Sequence, residues 1–107
     1  MGDLWRKSID KYKVRGEKIA HIDFKNSYNY IKYNLCNPIA AINYKEELKN
    51  KINSLESLPY RGAVYGNEFK RYLIYKNFLI FYEIQEKEKL VIIKRIMNRK
   101  VNNKIVY

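Results

Sequence analysis

The stretch RYLIYKNFLIFYEI, Arg71 to Ile84, carries apolar and aromatic side chains on both sides of one Lys76-Asn77 pair. Runs of β-branched and aromatic residues of this length form strands, and a polar pair between them forms a tight turn. Asn77 tolerates positive φ and is the residue expected to bend the chain; without a glycine after it, the turn type stays open. The hairpin's only charges are Arg71, Lys76 and Glu83, with no histidine and no carboxylate pair. Such a sheet is either the floor of an active site or a platform for gripping a partner.

Downstream, the all-polar segment Gln85 to Lys89 is a second turn, and Leu90 to Met97 is a third strand of the meander. Its run VIIKRIM is nearly apolar on both sides, which places it in the interior of the sheet. Upstream, Tyr60 to Asn67 holds Gly62 and Gly66 and reads as a loop. Before that loop, Ala41, Tyr44, Leu48, Ile52 and Leu55 recur at helical spacing, and Asn37-Pro38 supplies an N-cap and a first-turn proline. Ala20, Phe24, Tyr28, Ile31 and Leu35 make a second apolar stripe, predicting a helix over about 17–35. The short break between the two helices calls for an antiparallel hairpin. Tyr12 to Val14 reads as a short first strand, and residues 1–11, with Trp5, as an N-terminal arm before a single domain over 12–107. Strand, helix, helix and a three-stranded meander make an α+β fold, with the helices on one face of a mainly antiparallel sheet.

The 107 residues fit one domain, and an apolar fraction of 47% suffices for one core. Lys and Arg number 22 against 11 acidic residues, a net charge of +11. Such an excess costs self-repulsion and points to a polyanionic or acidic partner. Cys36 is the only cysteine, so no intramolecular disulfide forms and a reduced, cytoplasmic compartment is expected. No apolar run of helix-spanning length occurs, so no membrane association is expected, and the N-terminal residues lack the apolar region of a signal peptide.

His21 is the only histidine, so neither a zinc set nor a serine or cysteine triad can be assembled. RGAVYG, Arg61 to Gly66, lacks the lysine of a phosphate loop. Glu46, Glu47, Glu86 and Glu88 read as solvated. No metal and no cofactor is therefore expected. What remains is basic and aromatic. Arg71, Lys94, Arg95, Arg99, Lys100 and Lys104 are the candidate macromolecule-binding residues, with tyrosines interleaved among them. Strand alternation puts Arg71 beside Leu73 and Tyr75, and Arg95 beside Met97 and Arg99. An arginine between apolar neighbours needs a partner. Arg71 and Arg95 either brace a carboxylate or carbonyl or point into a groove, and Arg99 and Lys100 suit a groove.

Taken in order, Tyr12-Lys13-Val14, Ala20 with Asp23, Tyr30-Ile31, Asn37-Pro38-Ile39-Ala40-Ala41, Ile52 to Leu55 with Pro59, Arg71 with Leu73, Phe78-Leu79-Ile80-Phe81-Tyr82 and the basic ending after Ile96 resemble the RelE/ParE superfamily of toxins from type II toxin–antitoxin pairs. The resemblance covers about residues 12–101. It implies a helical hairpin on a curved antiparallel sheet. It also implies a cognate acidic antitoxin as partner, with room for a homodimer inside a toxin–antitoxin assembly. The superfamily's ribonuclease branch cuts mRNA on the ribosome; carried over, its catalytic set would be Lys70, Arg71, Arg99, Lys100 and Tyr107. That branch looks for an arginine where this chain has Leu79, and for a histidine where it has Asn98. The strand Phe78 to Tyr82 looks more like the ParE branch, which poisons DNA gyrase and is not a hydrolase. The expectation is thus a gyrase-binding toxin, with the ribosome-dependent endonuclease and a non-toxic binding module as alternatives.

Overall fold

The computed structural model describes residues 11–99. The arm up to position 10, with Trp5, and Lys100, Lys104 and Tyr107 lie outside the described residues. Strand β1, Lys13–Gly16, leads directly into helix α1, Lys18–Asn29, which continues through a π-helical turn, Tyr30–Asn34. Helix α2 spans Pro38–Asn53 and tightens into a 3₁₀ turn, Ser54–Glu56. Four strands follow: β2 Ala63–Tyr65, β3 Asn67–Tyr75, β4 Phe78–Gln85 and β5 Leu90–Asn98. Asn37 caps α2 as its sequence demands: Oδ1 accepts the Ala40 N–H at 3.0 Å, and Pro38 holds the first helical position.

The sheet order is β1-β5-β4-β3-β2. β1 runs parallel to β5, and every other neighbouring pair is antiparallel. The sequence VIIKRIM lies in β5, inside the sheet between β1 and β4. The helices cover one face. Ala20 of α1 and Tyr44, Leu48 and Leu55 of α2 with its 3₁₀ turn meet Leu73, Tyr75, Phe78, Ile80, Tyr82, Ile84, Val91, Ile93 and Ile96. Tyr44 is the hub. Its ring stacks on Phe24 at 5.5 Å and tilts against Phe78 at 4.7 Å and Tyr75 at 6.1 Å. On the sheet's other face, Phe81 takes Tyr65 edge-on at 5.1 Å and meets Tyr72 at 5.8 Å.

Four local expectations are corrected. The loop expected over Tyr60 to Asn67 contains a strand, β2, whose three residues are too few to show alternation; pairing with β3 makes it a strand. Leu35 is 55% exposed rather than buried. The π turn, closed by the Leu35 N–H on the Tyr30 carbonyl at 3.0 Å, adds a residue and rotates Leu35 off the apolar stripe. In the β3–β4 turn the positive φ falls on Lys76, at 51°, and not on Asn77. The alternation expected along β5 is broken. Phe81 pairs with Arg95 but Tyr82 with Ile93, so Lys94 is the extra residue of a bulge. That bulge explains why Ile93 and Ile96, three positions apart, face the same core.

Candidate functional site

The basic residues singled out from the sequence fall into separate environments. Arg71 stands opposite Tyr82 on the helix-facing side of the sheet. Its Nη1 donates to the carbonyls of Tyr60 at 2.8 Å and Gly62 at 3.0 Å, its Nε donates to the Glu68 carbonyl at 2.7 Å, and its guanidinium lies 4.9 Å from the Tyr60 ring centre. Tyr82 completes the same clamp. Its hydroxyl accepts the Gly62 N–H at 3.0 Å and donates to the Pro59 carbonyl at 2.7 Å. Gly62 is there because of this closeness: a Cβ would lie 2.6 Å from the Tyr82 hydroxyl and 2.7 Å from the Tyr72 carbonyl. Arg71 therefore braces the loop between α2 and β2.

Lys94 and Arg95 turn from the bulge toward α1. Lys94 Nζ sits 3.0 Å from Glu17, whose carboxylate raises the lysine's pKa. Asp23 receives Arg95 Nε at 2.7 Å, Arg95 Nη2 at 3.2 Å and the Ile96 N–H at 3.0 Å. A carboxylate so placed fixes α1 to β5 at the bulge. Lys70 is exposed on β3 opposite Glu83, and Arg99 is exposed where its N–H meets the Asn77 carbonyl at 2.6 Å. Six positions of β4 separate those two levels, about 20 Å at the rise of an extended strand. Among the described residues, then, Lys70 and Arg71 share one end of the sheet and Arg99 marks the other.

Two carboxylates expected to be solvated are engaged. Glu86, in the β4–β5 turn, accepts the hydroxyls of Tyr12, at 2.5 Å, and Tyr60, and Lys89 approaches it to 3.6 Å. The two phenols hold the Glu86 carboxyl below its usual range. Burial and the Glu86 carboxylate push Tyr60 well above an ordinary phenol. Glu47 accepts the Tyr75 hydroxyl at 2.5 Å. Tyr60 and Tyr75, two of the tyrosines interleaved with the basic residues and expected to suit base stacking, are cross-braces in the fold, as is Tyr12 of the first strand's start. Among the described residues, no three His, Cys, Asp or Glu side chains gather as a metal set would require.

One feature was not anticipated from the sequence. Between the two helices, over β1 and β5, opens a cavity of about 450 Å³. Its floor is apolar, from Val14, Ala20, Phe24, Ile52, Ile93 and Ile96. Its rim carries Arg15, His21, Lys45 and Lys49. Lys45 and Lys49 lie four apart on one helical face, and that spacing was the available sequence signal. The arrangement as a whole combines basic patches, an apolar recess and internally satisfied tyrosines. It is chemically equipped to hold an anionic or amphipathic chain.

The comparisons agree with this geometry. Residues 16–102 match the family model for the ParE toxin of the type II toxin–antitoxin system parDE. Among solved structures, the fold is similar to the RelBE2 toxin–antitoxin complex from Mycobacterium tuberculosis, at 17% identity and a TM-score of 0.62, covering 85% of this chain and 94% of that one. It is similar also to the chromosomal ParDE system from P. aeruginosa, at 17% identity and a TM-score of 0.68, covering 82% and 96%. No curated protein sequence matches it significantly.

Proposed function

This chain belongs to the family of ParE toxins of type II toxin–antitoxin systems, and on that premise we propose that it arrests growth by gripping DNA gyrase until an acidic antitoxin covers it. The observation that carries the reading is Leu79. It sits in β4 between Ile74 of β3 and Met97 of β5, an apolar ladder at the position where the ribonuclease branch looks for an arginine. A phosphoryl-transfer site needs charge converging on the scissile phosphate. Here Arg71 is committed to backbone carbonyls, and Lys70 and Arg99 stand at opposite ends of the sheet.

The net charge of +11 supports an acidic companion, and both similar structures are toxin–antitoxin complexes. The target-binding residues on this reading are the exposed Arg99 with Lys100 and Lys104 beyond it. Induced expression tests the proposal. Growth arrest with DNA-damage signalling and intact mRNA is expected. Arrest with mRNA cut on ribosomes assigns the chain to the nuclease alternative, and unimpaired growth reduces it to a binding module.

A further inference from the structure

From Phe24 to Lys45 the chain has no aspartate and no glutamate, and its only charges are Lys25, Lys32 and Lys45. This stretch is the far end of the helical hairpin: the last turns of α1, the π turn, the break and the first turns of α2. Contacts along α2 place that end. Tyr44 is the first residue of α2 in the core that packs on the sheet, and its ring meets Tyr75 and Phe78, the last pair before the β3–β4 turn. After α2, the Glu56 carbonyl accepts the Tyr12 N–H, beside the β4–β5 turn. The helix thus runs from one end of the sheet to the other, and its turns ahead of Tyr44 overhang the sheet. Four large apolar side chains are exposed on this overhang: Tyr33 at 64%, Leu35, Ile39 at 72% and Ile42. Lys32 lies along it, with Nζ 5.2 Å from the Tyr33 ring centre and 5.8 Å from that of Tyr28.

Apolar side chains exposed together mark a contact surface. Charge and shape select the contact. A second copy of the chain would set lysines against lysines, with no carboxylate from Phe24 to Lys45 to meet them. Carboxylates resume only at Glu46 and Glu47, and Glu47 is engaged with Tyr75 and Lys76 at the end of the sheet. A projecting tip of aliphatic and tyrosine side chains flanked by lysines suits the surface of a bilayer. Its aliphatic groups enter the acyl boundary, its tyrosines sit at headgroup level, and its lysines reach anionic headgroups. Among the described residues, no helix is long and apolar enough to cross a membrane. That lack bears on crossing a bilayer and not on resting against one.

We propose that the tip of the helical hairpin, Tyr33 to Ile42, is an anchor for the surface of an anionic lipid bilayer, with Leu35 and Ile39 inserted and Lys25, Lys32 and Lys45 against the headgroups. This goes beyond the reading of the chain as a gyrase-binding toxin and does not depend on it.

Cys36, the only cysteine and exposed at the tip, lets the full chain carry a single nitrobenzoxadiazole label there. The probe is vesicles of phosphatidylglycerol mixed with phosphatidylcholine, in about 0.15 M salt so that loose charge attraction is screened. The label's emission should shift to the blue and be quenched by brominated acyl chains. Vesicles of phosphatidylcholine alone should leave it unchanged. Leu35→Asn with Ile39→Asn, at two exposed positions, should weaken sedimentation with the mixed vesicles about tenfold while the melting curve stays in place. Equal affinity in that variant would overturn the proposal, since the binding would then be general adhesion of the +11 surface. Binding with an unshifted label would overturn it too, as would no binding to the mixed vesicles. If the variant loses gyrase inhibition and keeps its vesicle binding, the tip belongs to a protein partner and the proposal falls.

Discussion

Arg71 shows how a single side chain decides between two roles. Its donors already meet the carbonyls of Tyr60, Gly62 and Glu68, and its face rests on the Tyr60 ring. Truncation leaves the part-buried carbonyls of Tyr60 and Gly62 without this donor. Arg71→Ala is expected to lower unfolding free energy by about 1–3 kcal/mol in a urea titration. An unchanged midpoint would mean the bracing carries no stability. Arg99 is the contrasting case, exposed, with its backbone N–H on the Asn77 carbonyl. Arg99→Ala with Lys100→Ala should abolish growth arrest and leave the melting curve in place; a collapse in melting would make these residues structural. In the sequence Arg71, set between apolar neighbours, reads as either a brace or a groove residue, and Arg99 as a groove residue. What separates them is the loop at Pro59–Gly62, which approaches Arg71 only once α2 has packed, and no local pattern encodes that approach.

At the scale of elements, the hairpin of β3 and β4, the caps of α2 and both helical stripes were legible because each is a local, periodic signal. β2 was not, since its three residues become a strand only through pairing with β3. Leu35 and the Lys94 bulge escaped for a related reason: one inserted residue in a helix or strand shifts every later side chain without changing the composition. Of the candidate site, the types of residue were legible and their grouping was not, because Glu86 joins Tyr12 and Tyr60 across long stretches of chain. Gly62 gives the sharpest test of the element packing. Gly62→Ala drives a Cβ into the Tyr82 hydroxyl and the Tyr72 carbonyl. The expected loss is about 1–3 kcal/mol, the usual cost of overpacking, with amide protection lost first in β2 and at the β3 residues it pairs with. Loss spread evenly over the domain would contradict the idea that Gly62 acts through that corner.

Over the whole molecule, tyrosine sets the response to alkali. Burial pushes Tyr44 up to about 12; it has Ser27 as the neighbouring hydroxyl and no well-formed hydrogen bond among the described residues. Tyr60, Tyr75 and Tyr82 are raised as well, chiefly by burial, with Glu86 adding at Tyr60 and Glu47 at Tyr75. A phenol whose folded pKa lies above its unfolded 10.0 stabilises the fold below that pH. The contribution fades as pH rises from about 10 toward 12. Melting temperature should therefore fall steeply across that range. The Tyr44→Phe variant isolates this phenol by difference: its share of the phenolate absorbance should appear only with unfolding, and a share that appears while the protein is still folded would contradict the burial of Tyr44. At the acid end Glu86 works in the opposite sense, its stabilisation present above its ordinary 4.5 and lost as pH drops below it.

A net +11 on a chain of 107 residues costs self-repulsion, which an anionic partner relieves, and Arg99 is exposed at the end of the sheet. The most direct measurement is DNA supercoiling by purified gyrase in the presence of the purified chain. The account predicts that supercoiling stops and that an acidic antitoxin restores it. Gyrase turning over undisturbed, while ribosome-bound mRNA is cut by the same preparation, would contradict it.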